Sequence, residues 1–133
     1  MSILDCSIVT PQKKIFEGKI SYIKAPGKVG EFGVLPGHES FITILDVGII
    51  NITEENGEEI SYLLVGGYFE VTEDKIIIIA DEVYTKDDID TQEASKKAEE
   101  FKNKLSSMNF DDSDYESTRR KYEKYSNMLK LAS

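Results

Sequence analysis

The chain has 133 residues, 40% of them hydrophobic and 31% charged, a net charge of −9 and a single cysteine, Cys6. That length fits one compact unit, or a small domain with an appendage. The acidity counts against nucleic acid and anionic lipid as partners. One cysteine excludes an internal disulfide, and no apolar run approaches the ~20 residues of a membrane span.

The first ten residues, MSILDCSIVT, have no charged leader segment followed by a long apolar stretch, and no arginine-rich transit pattern, which predicts a cytosolic chain. Up to about Thr85 the pattern is one of short strands separated by turn residues every 6 to 12 positions. The predicted strands are Ile3–Thr10, Lys13–Phe16, Lys19–Ala25, Glu31–Val34, Ser40–Leu45, Gly48–Glu54, Glu58–Val65, Gly67–Glu73, Lys75–Ala80 and Glu82–Thr85. Cys6 falls in the first of them as a small apolar residue. Asn56-Gly57 is the sharpest turn signal and predicts a type I′ hairpin, in which both central residues take positive φ. Ile50 and Ile52 alternate with Asn51 and Thr53, as one buried and one wetted face require. The run Ile76–Ala80 does not alternate, which predicts a strand covered on both faces. Many short strands with local hairpins make a β-sandwich or flattened barrel.

From Asp87 the period becomes helical. Ala94, Ala98, Phe101, Leu105 and Met108 are spaced four, three, four, three; Tyr115, Thr118, Tyr122, Tyr125, Leu129 and Ala132 are spaced three, four, three, four, three. Asp90 with Glu93, and Ser113 with Glu116, read as N-terminal capping boxes. A short link makes the helices antiparallel, with small residues of the first facing tyrosines of the second. The charge divides at the same place: residues 1–86 carry −7 and residues 87–133 carry −2. The expected class is therefore α+β, a sandwich over residues 1–86 and a helical hairpin over 87–133. Two narrow-seamed helices are marginal alone and must dock on something.

The one histidine, His38, lies in EFGVLPGHES. It has no Gly-x-Ser-x-Gly elbow, no second histidine and no carboxylate cluster with metal-ligand spacing to work with, so a turn histidine bonding its own loop is favoured over a general base. GKVGEFG, from Gly27 to Gly33, lacks the Gly-Lys-Ser/Thr ending of a phosphate loop and leads into no helix. No cofactor is expected.

GEFGVLPGHES (Gly30–Ser40), LDVGIINI (Leu45–Ile52), LVGGYFEV (Leu64–Val71) and IIIIADEVYTKDDID (Ile76–Asp90), in that order and at that spacing, closely resemble the epsilon subunit of bacterial F-type ATP synthases. The resemblance runs the length of the chain. It implies a flattened sandwich of about ten strands followed by a two-helix hairpin. It also implies a noncatalytic role in the central stalk, peripheral to the cytoplasmic face of the bacterial inner membrane. The implied partners are the gamma subunit, the c-ring and, when the hairpin extends, the alpha/beta catalytic head. Extension of the hairpin inhibits ATP hydrolysis in this family, while the rotor couples ion flow to ATP synthesis.

The resemblance also implies sites. Glu31, Pro36, Gly37 and His38 form an edge facing the polar loops of the c-ring, where an arginine would suit Glu31. Arg119, Arg120, Lys121 and Lys124 are the implied inhibitory contacts, since the extended hairpin lies against an acidic segment of the catalytic subunit. On a helical wheel Arg120 and Lys124 stand opposite the tyrosine seam. Some members bind ATP through Ile/Leu-Asp-x-x-Arg-Ala; the matching residues are Ile89, Asp90 and Ala94, with Glu93 in place of the arginine. A nucleotide-sensing module is the alternative reading, and Glu93 argues against it.

Overall fold

A computed structural model describes residues 3–133; Met1 and Ser2, part of the N-terminal stretch read above, lie outside the described residues. The chain forms two compact units, one up to Val83 and one from Tyr84 to Ser133.

The first unit contains six strands: β1 (Leu4–Val9), β2 (Lys14–Gly27), β3 (Gly30–Val34), β4 (Phe41–Glu54), β5 (Glu59–Thr72) and β6 (Lys75–Tyr84). Their order is β1-β6-β5-β4-β2-β3, and β1 also pairs with β2, so five strands close into a ring with β3 hanging on β2. The β1–β6 pairing is parallel, while β1–β2, β2–β3, β2–β4 and β4–β5 are antiparallel. This is a barrel-like sandwich. Leu4, Cys6, Ile8, Ile50, Ile52, Phe69, Val71, Ile76 and Ile78 fill its interior. Ile20 and Ile23 both point inward although three residues apart, because a register irregularity between Ile20 and Tyr22 switches the parity of β2.

Ten strands were expected and six are found, since four neighbouring pairs fuse. Glu17-Gly18 sits inside β2, and the gaps before Gly48, between Val65 and Gly67, and at Asp81 are continuous strand within β4, β5 and β6. Glycines at two of these points answer close approaches, by a proline ring at Gly48 and by backbone at Gly67. A Cβ on Gly48 would meet Pro26 Cβ at 2.7 Å, and one on Gly67, whose φ is +129°, would collide with the Ile79 carbonyl. Gly-rich positions that look like breaks thus keep a long strand continuous where its neighbours come close.

Two turn readings change. In the Asn56-Gly57 loop only Gly57 has positive φ, +90°; Glu54 N–H donates to Glu58 O at 2.7 Å and Gly57 N–H to Glu54 O at 2.9 Å. That is a three-residue hairpin loop with a left-handed glycine rather than type I′. The two-residue turn with both φ values positive is Glu73-Asp74, at +48° and +61°. The run Ile76–Ala80 does alternate: Ile76, Ile78 and Ala80 are buried, whereas Ile77 is exposed and Ile79 half-buried.

In the second unit a single 3₁₀ turn, Lys86–Asp88, precedes α1 (Thr91–Ser106) and α2 (Tyr115–Ala132). Thr85 opens it: its N–H and Oγ1 both reach Asp88 Oδ2, at 2.8 and 3.0 Å. Asp90 caps α1, accepting from the N–H groups of Gln92 and Glu93 at 3.1 Å each. The expected box of Ser113 and Glu116 does not form. Helix α2 starts one residue later, with Asp114 at its N-cap, and Glu116 is drawn instead to Arg119 at 2.7 Å. The seam itself is as read from the spacing: Ala94, Ala98 and Phe101 are buried, and Phe101 stacks on Tyr125 with ring centroids 5.9 Å apart. Beyond it, α2 also buries Asn127 and Met128. No helix among the described residues is long and apolar enough to cross a membrane.

Candidate docking surface

Strands β2 and β3 pair Pro26 with Glu31 and Gly27 with Gly30, so the hairpin ends just beside Glu31. Glu31 is exposed, with Lys24 Nζ 3.9 Å from its Oε2. The chain then passes through Leu35–Pro36–Gly37–His38, where His38 N–H donates to Leu35 O at 3.2 Å and Gly37 takes φ +85°. The His38 ring lies 5.1 Å from that of Phe41, which joins Phe32 and Phe69 in an aromatic cluster with centroids 5.0 to 5.9 Å apart. His38 Nδ1 lies 2.9 Å from Glu39 O; since a carbonyl only accepts, that nitrogen carries the hydrogen. Glu31 and His38 line one surface depression of about 530 Å³ with Val29, Phe32, Phe41 and Ile42. Pro36 and Gly37 lie outside its lining and act as the backbone of the turn.

The depression opens beside an apolar face that sequence reasoning missed. On β4, Ile42 is 63% and Ile44 60% exposed; Tyr68, paired with Ile44 across the β4–β5 ladder, is 40% exposed, and Ile77 on β6 is 36% exposed. The signal was present. FITIL (Phe41–Leu45) is apolar on both parities, and the inward parity belongs to Phe41 and Leu45, which leaves Ile42 and Ile44 facing out. An open face carrying several large apolar side chains marks an interaction site.

Burial pushes the Cys6 thiol up to about 12, which keeps it protonated and inert. Among the described residues no group of three or more His, Cys, Asp or Glu side chains is placed to hold a metal.

In the second unit, Asp90, Glu93 and Ala94 line a cavity of about 220 Å³ with Tyr84, Asp88, Lys124, Tyr125 and Met128. Ile89 is half-buried outside that lining. Lys124 does not stand free of the packed face, as the wheel had it. Its ammonium lies 5.2 Å from the Tyr84 ring centroid and 5.5 Å from that of Tyr125. Lys121 sits 5.6 Å from the Phe101 centroid, Arg119 pairs with Glu116, and Arg120 is half-buried. The four basic residues therefore belong to different surroundings.

Among known families, residues 3–86 match the model described as the ATP synthase, Delta/Epsilon chain, beta-sandwich domain. The ATP synthase epsilon chain of Campylobacter concisus is 35% identical over 123 residues, covering 92% of this chain and 95% of that relative. The chain belongs to the ATP synthase delta/epsilon family. A second epsilon chain, from Trichlorobacter lovleyi, is 42% identical over 87 residues, 65% of this chain; the match spans 62% of that relative's length, just under two thirds. The Campylobacter match extends the epsilon likeness past the sandwich into the helical part. In fold, the chain is similar to a chain of the Euglena gracilis mitochondrial ATP synthase structure, with a TM-score of 0.83 at 24% identity over 99% of this chain and 82% of that one. A chain of the Tetrahymena thermophila mitochondrial ATP synthase central stalk/c-ring structure gives 0.63 at 17% identity, over 98% and 96%. At these identities the structural likeness is one of fold.

Proposed function

We propose that this epsilon chain is a noncatalytic central-stalk subunit that transmits rotation between the c-ring and the gamma subunit of an F-type ATP synthase, at the cytoplasmic face of the membrane. The observation that carries the proposal is the ordered edge of Glu31 and His38 set beside the bare apolar face of Ile42, Ile44, Tyr68 and Ile77. A polar edge suits the charged loops of a c-ring, and an apolar face suits a permanent subunit contact. The hairpin is the regulatory half of the proposal: its basic residues meet the catalytic head and restrain ATP hydrolysis when it extends. A nucleotide sensor is disfavoured, because phosphate in the Tyr84–Lys124 cavity would meet Asp88, Asp90 and Glu93 against one ammonium.

Glu31→Lys tests the edge. Exposed turn substitutions usually change stability by less than ~0.5 kcal/mol. In vesicles reconstituted with the whole synthase, the variant is expected to weaken the coupling of ion flow to ATP synthesis while its melting temperature holds. Unchanged coupling would remove Glu31 from the interface.

A further inference from the structure

The turn that carries His38 is held from another hairpin. Gly37 N–H donates to Asp74 Oδ1 at 2.8 Å, across 37 residues of sequence. Asp74 sits in the two-residue turn between β5 and β6, and its own carbonyl accepts from Asp5 N–H at 2.9 Å. Both residues of that turn, Glu73 and Asp74, occupy the left-handed region, at φ +48° and +61°. Residues with a Cβ avoid that region; Asp and Asn tolerate it best and Gly adopts it freely. A glycine would thus suit the turn itself better than Asp74 does. Backbone strain retained where a relaxed residue exists points to a task for the side chain.

The rest of the His38 turn shows what that task is. Gly37 has no atom within 4 Å of where its Cβ would lie, so no packing locates it. The turn closes on itself through His38 N–H to Leu35 O and His38 Nδ1 to Glu39 O, and it is tied to the rest of the sandwich by the Asp74 carboxylate on the Gly37 amide and the Phe41 ring beside His38. We infer that Asp74 is a positioning residue for the docking edge: its carboxylate sets where Pro36–Gly37–His38 stands relative to Glu31, and so sets affinity for the partner. The inference rests on the proposed docking role of that edge.

The test uses the full chain and the purified c-ring–gamma subcomplex of the same synthase as binding partner. Asp74→Gly removes the carboxylate and relieves the left-handed strain, so its melting temperature stays near wild type. Its Gly37 amide is expected to exchange with solvent at least tenfold faster, and binding to weaken roughly three- to tenfold, as loss of one charge-assisted bond in an exposed turn implies. Asp74→Asn keeps both an acceptor oxygen and tolerance of positive φ, and is expected to preserve Gly37 protection and wild-type affinity. Binding by Asp74→Gly at wild-type affinity despite a freed Gly37 amide would overturn the inference. So would an Asn variant that keeps the amide protected yet binds as weakly as the Gly variant. Glu31→Lys is measured alongside: if it too binds like wild type, the docking reading has failed rather than the role of Asp74.

Discussion

At the scale of single residues, burial decides chemistry. Cys6 lies on the inward face of β1 opposite Gly18, 2% exposed, and its thiol is pushed up to about 12 from an ordinary value near 9. The folded state therefore holds this proton through a pH range in which the unfolded chain releases it. By linkage, stability is fully present below pH ~9 and is lost as pH rises from there toward the folded value. Chemical denaturation between pH 8 and 11 is expected to show this decline, and Cys6→Ala should lessen it, leaving the part due to Tyr62, whose phenol burial also pushes up. An equal decline in the variant would place the alkaline sensitivity elsewhere. Residue-level reading of the sequence succeeded where a residue's type fixes its conduct, as with His38 bonding its own loop. It failed where backbone φ decides: Asn56-Gly57 looks like a type I′ turn, yet Glu73-Asp74, with no glycine, has the two positive φ values. The long-range bond from Gly37 to Asp74 left no local trace at all.

At the scale of elements, periodicity found the seams and missed the continuations. Glycine and aspartate at positions 18, 46, 66, 67 and 81 read as strand ends because local propensity cannot see that a neighbouring strand holds the chain extended there. In α2 the 3.6-residue period gave the tyrosine seam toward α1, but Lys124 and Met128 pack beside Tyr84 on a second face. Lys124 is therefore engaged in the folded hairpin, and an inhibitory contact through it requires leaving Tyr84. Replacing Arg119, Arg120, Lys121 and Lys124 together with alanine is expected to relieve inhibition of ATP hydrolysis in the assembled enzyme. Helicity should be retained, since alanine is the best helix former. Wild-type inhibition by that variant would show that α2 does not inhibit through charge.

At the scale of the whole molecule, the sandwich contains the large buried core and the hairpin has its own seam. We therefore propose that the sandwich folds alone. A chain ending at Lys86 should melt cooperatively and retain β-type circular dichroism, and a loss of that signal would make the two units one folding module. Fold class and the order of parts were legible because both follow from local periodicity. The proposed docking face was not, because outward isoleucines on β4 and β6 read as core until the parity of Phe41, Leu45, Ile76 and Ile78 is known. The most direct measurement is ion-driven ATP synthesis in vesicles holding a synthase stripped of this chain, with wild type or an Ile42→Thr, Ile44→Thr, Tyr68→Thr variant added back. Threonine keeps strand propensity while removing apolar surface, so the variant should fold as wild type does. The wild-type chain is expected to restore synthesis and the variant to fail through weak assembly. Full restoration by a variant stripped of that apolar face would contradict the proposed docking.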